Sequence, residues 1–157
     1  MDFFYPNFAN DMWRIFGLVF HDDKGFFVDA SARTFRLSAI TKLLETKGIA
    51  LYDTALAVIR SGNTAADKGL EIVETTDIGT LLRGMPLCDA VVATGQKAAD
   101  VVAAHFHVMP PKAGTCVETP YGSRHIRFYR MPSSSRAYPL SIERKAEAYK
   151  RMFTECL

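Results

Sequence analysis

Ala90-Val91-Val92-Ala93-Thr94-Gly95, followed by Gln96-Lys97-Ala98-Ala99-Asp100-Val101-Val102-Ala103-Ala104-His105-Phe106, is the stretch on which the fold turns. Four small or β-branched apolar residues read as a buried strand. Thr94-Gly95 reads as a tight turn, and the Ala/Val-rich remainder as a helix over 96–106. A strand, a glycine turn and a helix form a βα unit, which favours a parallel sheet covered by helices.

Working outward, Met12, Ile15, Phe16, Val19 and Phe20 fall at helical spacing and predict an amphipathic helix over 10–20. Residues 21–31 break that period and read as a loop. A second helix is expected over 37–46, with Gly48 as its C-cap. Ile49-Ala50-Leu51-Tyr52 reads as a short buried strand that ends in Asp53-Thr54, with a helical segment over 55–60 and a Ser61-Gly62-Asn63-Thr64 turn after it. A helix is expected over 78–82, a breaker at Met109-Pro110-Pro111-Lys112, and an alternating strand over 124–130 that runs out into Met131-Pro132-Ser133-Ser134-Ser135. The last helix follows Pro139, with Ile142, Ala146, Tyr149 and Phe153 on one face and Glu147 and Arg151 placed to pair outside.

Composition sets the outer bounds. The chain has 157 residues, 48% hydrophobic and 23% charged, with a net charge of +2. This suits one globular domain, 1–157, with a sizeable core. Apolar runs are too short to span a bilayer and the N-terminus lacks a signal-peptide pattern, so a cytoplasmic protein with no membrane partner is expected. Cys88, Cys116 and Cys156 are sparse and odd in number, which fits reduced thiols. No clustered ligands suggest a metal; His105 and His107 would share a face only in an extended segment. Arg124, Arg127, Arg130, Arg136, Arg144, Lys145, Lys150 and Arg151 crowd the last quarter, as a nucleic-acid-binding face or as a solvated, salt-bridged surface.

In open parallel sheets ligands bind outside the carboxyl ends of the strands. Here those ends are Asp53-Thr54, Thr94-Gly95 and Pro132-Ser133-Ser134-Ser135, with Lys97 and Arg136 close by in sequence. Small hydroxyls, cations and the amides of a helix N-terminus suit a phosphate-bearing ligand.

Two segments add a resemblance. Phe4-Tyr5-Pro6-Asn7-Phe8-Ala9-Asn10-Asp11-Met12-Trp13 is similar to the His-Pro-x-Asn-x-Phe-Trp segment of the mismatch-specific and hypoxanthine-type branches of the uracil-DNA glycosylase superfamily. Met131-Pro132-Ser133-Ser134-Ser135-Arg136-Ala137 looks like the second active-site motif of that superfamily. Between them, 48–53 and 93–98 fall in the same order and context as family segments. The resemblance implies a three-layer αβα fold with a central, mostly parallel four-stranded sheet. It also implies hydrolysis of the N-glycosidic bond of a deaminated or damaged base (uracil or hypoxanthine class) after base flipping. Asn10 takes the catalytic position. Tyr5, Phe8 and Asp53 would bind the base. Gly95, Lys97, Ser133, Ser134, Ser135 and Arg136 would bind DNA. The partner is double-stranded DNA containing a lesion, and no cofactor or metal is required.

Each residue also has a plainer reading. Asn10 suits a helix N-cap, Asp53 a cap on a following helix, Tyr5, Phe8 and Trp13 a core, Gly95 a βα turn, and the serines a surface turn. Family members open with a strand ending in Gly-x-x-Pro, which does not precede the aromatic loop here. The expected sheet therefore lacks its first strand. The chain is expected to be a monomer, with self-association if neighbouring edges stay unpaired. Met131 stands where some branches carry a catalytic His. A non-catalytic nucleic-acid-binding relative is the first alternative; a small-molecule enzyme handling nucleotides, motivated by Thr94-Gly95, is the second.

Overall fold

The computed structural model describes residues 3–60 and 70–157. Its elements are α1 (Met12–His21), β1 (Val28–Asp29), β2 (Thr34–Phe35), α2 (Leu37–Lys47), β3 (Ala55–Arg60), β4 (Leu70–Thr75), α3 (Ile78–Gly84), β5 (Ala90–Thr94), α4 (Gln96–Phe106), β6 (Thr115–Tyr121), β7 (Arg124–Met131) and α5 (Ile142–Cys156). The class is mixed α/β. The chain forms two compact units. The first joins Met1–Tyr52 to Pro132–Leu157, and the second is Asp53–Met131. No described helix is long and apolar enough to cross a membrane.

The second unit holds the expected βα unit. β5 pairs in parallel with β7, from Ala90 opposite Arg127 to Thr94 opposite Met131. α4 starts where expected because Gly95, at φ 88 and ψ 177, turns the chain between strand and helix. That conformation is open almost only to glycine. Ile78, Leu82, Ala93, Ala99, Val102, Ala103, Phe106, Ile126 and Phe128 form one buried cluster. It brings together residues of α3 and α4 with inward positions of β5 and β7, and apolar burial is its main stabilising term.

The sheet departs from the four-stranded, mostly parallel expectation. Among the described residues it has three strands in the order β5-β7-β6, and β6 runs antiparallel to β7. The expected strand at Ile49-Ala50-Leu51-Tyr52 is absent; Ala50 and Tyr52 are exposed. Four apolar residues become a strand only where a neighbour offers hydrogen bonds, and no described strand pairs with them. The segment expected to be helical over 55–60 is β3, paired antiparallel with β4. Six residues are too few to hold a helix without tertiary support, whereas β-branched Val58 and Ile59 favour a ladder. Asp53 thus precedes a strand and caps no helix. The Ser61-Gly62-Asn63-Thr64 turn lies outside the described residues. Within the expected loop over 21–31, Val28 and Asp29 pair with Phe35 and Thr34.

In the first unit α1 packs on α5. The rings of Phe16 and Phe20 lie 5.4 and 4.9 Å from that of Phe153, and Trp13, Ile15, Tyr149 and Met152 are buried. Gly17 allows the following loop to return close to α1: a Cβ there would sit 2.3 Å from the Asp23 carbonyl oxygen. α2 ends at Gly48 as expected, in the left-handed conformation. Glu147 and Arg151 form no ion pair with each other.

Burial also sets an alkaline limit on this unit. The Tyr149 phenol donates to the Pro132 carbonyl oxygen at 2.9 Å, and burial pushes its pKa well above the ordinary value. The folded chain therefore keeps a proton that the unfolded chain releases near pH ~10. Stability carried by Tyr149 is intact below that pH and falls as pH rises towards the folded pKa. Tyr149→Phe should cost about 1 kcal/mol at neutral pH, from the lost hydrogen bond. It should also flatten the decline of stability between pH 9 and 11 in urea titrations; an equally steep decline would show that other groups cause it.

Candidate functional site

The two segments that carry the family resemblance meet in the first unit. Asp11 N donates to the Ser134 carbonyl oxygen at 3.0 Å, which ties the start of α1 to the serine loop. The Asp11 carboxylate then gathers two cations, with Arg136 Nε at 3.1 Å and Lys145 Nζ at 3.4 Å. Lys145 is 1% exposed and also donates to the Ser135 carbonyl oxygen at 2.7 Å. A buried ammonium persists only when its donors are met and its charge is balanced, and here the serine loop and Asp11 do both.

Asn10 directly precedes Asp11 in the chain. Its Oδ1 accepts from Met12 N at 2.8 Å, so it satisfies an amide of the first helical turn. The formal N-cap is Asp11, whose side chain caps nothing because the two cations hold it. The amide donors of Asn10 make no hydrogen bond to described residues. The aromatic loop is built on Trp13, which is fully buried. Phe3 stacks on the indole at 5.3 Å, Tyr5 meets it edge-on at 6.4 Å, and Trp13 Nε1 donates to the Phe4 carbonyl oxygen. Tyr5 takes the left-handed conformation, φ 53, which is uncommon outside glycine. Phe8 is partly covered: its ring lies 5.5 Å from Phe35, and the Arg14 guanidinium sits over it at 4.5 Å.

In the serine loop, Ser133 Oγ and Ser135 Oγ each accept from an amide two residues on, at 3.2 Å. Ser134 is buried. The loop is therefore a closed hydrogen-bonded turn with Arg136 at its exposed end. Of the expected site residues, Tyr5, Phe8, Asn10, Ser133, Ser134, Ser135 and Arg136 are in this unit. Asp53, Gly95 and Lys97 belong to the second unit, where Gly95 N donates to the Met131 carbonyl oxygen and the Asp53 carbonyl oxygen accepts from Thr76 Oγ1.

The basic last quarter reads differently once partners are assigned. The Arg124 guanidinium donates to the carbonyl oxygens of Leu82, Met85, Pro86 and Cys88, closing the end of α3. Arg127 pairs with Asp89 at 2.7 Å, Lys150 lies 3.5 Å from Asp22, and Lys145 is buried. Much of the charge counted along the sequence therefore has structural work. The cations that sequence reading left out are Arg14 and Lys24. With Asp11, Arg136 and Lys145 they line an open groove of about 610 Å³.

No protein family matches the chain, and no solved structure matches it. A β-glucosidase from Ruminococcus albus is 34% identical over 110 residues, 69% of this chain. The chain spans 11% of that protein's length.

Proposed function

We propose that the chain is a DNA glycosylase of the uracil-DNA glycosylase type, one cytoplasmic, monomeric domain over 1–157. It would flip a deaminated or damaged base out of double-stranded DNA and hydrolyse its N-glycosidic bond. The observation that carries this reading is the hydrogen bond from Asp11 N to the Ser134 carbonyl oxygen, which places both motif-bearing loops side by side. The parallel β5–β7 pair, with α4 between them in sequence and packed in the same core cluster, is compatible with part of the expected αβα frame. The named activity of the R. albus protein belongs to a much longer chain and is a different hydrolysis.

In this mechanism Asn10 keeps two amide donors and a second lone pair, enough to orient water or read a base edge. The aromatic loop offers Tyr5 for stacking on the base. The serine turn and Arg136 meet the backbone, where most protein–DNA hydrogen bonds fall. Duplex oligonucleotides containing uracil or hypoxanthine, incubated with the protein and then treated with alkali, should break at the lesion. Asn10→Ala should slow cleavage about 100-fold, as expected for loss of one preorganised amide. No break at any deaminated base would overturn the enzyme reading.

A second reading is favoured by Met131, which offers no imidazole to stabilise developing positive charge on the sugar. It is a relative that binds nucleic acid without cleaving it. Salt-dependent duplex binding without strand breakage would select it.

A further inference from the structure

We propose that Arg14, together with Arg136 and Lys24, grips a phosphate of the DNA backbone in the groove beside the Asp11–Lys145 pair. The inference rests on the DNA reading above and adds to Arg136 two residues that neither motif contains, Arg14 and Lys24.

Arg14 is held as a fixed fork. One terminal nitrogen, Nη1, donates to the carbonyl oxygens of Phe8 and Asn10 at 2.9 and 3.0 Å. Its guanidinium lies 4.5 Å from the Phe8 ring centre and 5.4 Å from that of Phe35. The donors on Nε and Nη2 make no hydrogen bond to described residues. Arg136 is anchored the opposite way: Nε goes to Asp11, while the terminal donors make no hydrogen bond to described residues and the side chain is 53% exposed. A guanidinium fixed by part of its fork loses little freedom when the rest binds an oxyanion, and it can do so with two parallel bonds.

Charge points the same way. Four cations, Arg14, Lys24, Arg136 and Lys145, line the groove with one carboxylate, Asp11, which already serves two of them. Partial burial, then the repulsion of Arg136, weakens the hold of Arg14 on its proton, and the nearby Asp11 carboxylate offsets this only in part. An anion in the groove would relieve that repulsion. A phosphodiester suits it because its oxygens accept several hydrogen bonds and carry charge.

The test is the salt dependence of duplex binding, read by fluorescence anisotropy with an undamaged 20-mer between 50 and 200 mM NaCl. Each neutralised phosphate contributes roughly 0.9 to the slope of log K against log salt. Arg14→Gln should lower that slope by between about 0.5 and 1, and Lys24→Gln by a similar or smaller amount. Arg14→Lys should keep the slope but weaken binding several-fold, because it restores charge without the fork. Lys24 is exposed, so Lys24→Gln decides alone if Arg14→Gln does not fold. Wild-type slopes in every folded variant would overturn the phosphate grip and leave the DNA reading standing. A wild-type chain that binds no duplex, or binds without regard to salt, would overturn both.

Discussion

Replacing Lys145 by methionine should lower the stability of the first unit by about 3 kcal/mol, towards the lower end of what breaking a buried ion pair costs. Methionine keeps the apolar stem and removes the ammonium. The Ser135 carbonyl oxygen then loses a donor at 2.7 Å, and Asp11, its side chain only 11% exposed, is left with Arg136 Nε. That remaining partner is why the loss should not reach the upper end. Trp13, the chain's single tryptophan, lies in the same unit, so its fluorescence during urea unfolding reports the relevant transition. Asp11→Ala should be at least as damaging, because it strands a cation that is 1% exposed. The double variant Asp11→Leu/Lys145→Met should be milder than the sum of the singles, since an apolar pair removes both desolvation costs. A loss below about 1 kcal/mol for Lys145→Met would mean that the ammonium reaches water on unfolding at no net benefit, and the clamp on the serine loop would lose its energetic basis.

Trp13→Ala is the second large effect. The indole is fully buried between the aromatic loop and the α1–α5 interface, and truncation of such a ring costs about 3–5 kcal/mol. Phe3 and Tyr5 would lose the surface they pack on, and the Phe4 carbonyl oxygen its donor. Far-UV circular dichroism in urea, which does not need the tryptophan, should show the midpoint shift. Trp13→Phe should recover part of it by refilling the cavity. An alanine variant as stable as the parent would show that the loop holds itself without the indole.

The parts of the fold that could be read in advance are those with a strong local period. α1, α4, α5 and β7 carry their apolar stripes openly, and Gly48 and Gly95 mark turns that only a left-handed or glycine-type conformation completes. What escaped depends on pairing with distant chain. β4 hides in Leu70-Glu71-Ile72-Val73-Glu74-Thr75, where two acids three residues apart spoil the strict alternation that marks a half-buried strand. β6 is not among the expected strands; it contains Pro120, and a proline argues against a strand except at a sheet edge, where β6 sits and a missing donor is tolerated. Ile49 to Tyr52 looks like a strand but finds no ladder among the described residues. At the site, Asn10 and Arg136 stood out in the sequence; Asp11, Arg14 and Lys145 did not. Lys145 left a trace, for it is three residues from Ile142 and four from Tyr149, on the apolar stripe of α5. A lysine in such a stripe is seldom solvated and points to a buried partner, but the sequence does not say that the partner is 134 positions away.

The first unit is discontinuous: all of Asp53–Met131 lies between its two halves. Its hydrophobic stripe on α1 is therefore made before that whole segment and waits, uncovered, until α5 has followed. Closing so long a loop is slow compared with forming local helices and hairpins, which biases assembly towards the inserted segment first. During that interval Trp13, Ile15 and Phe16 are the surface a chaperone or a neighbouring nascent chain would meet, and α5 acts as the latch that withdraws it.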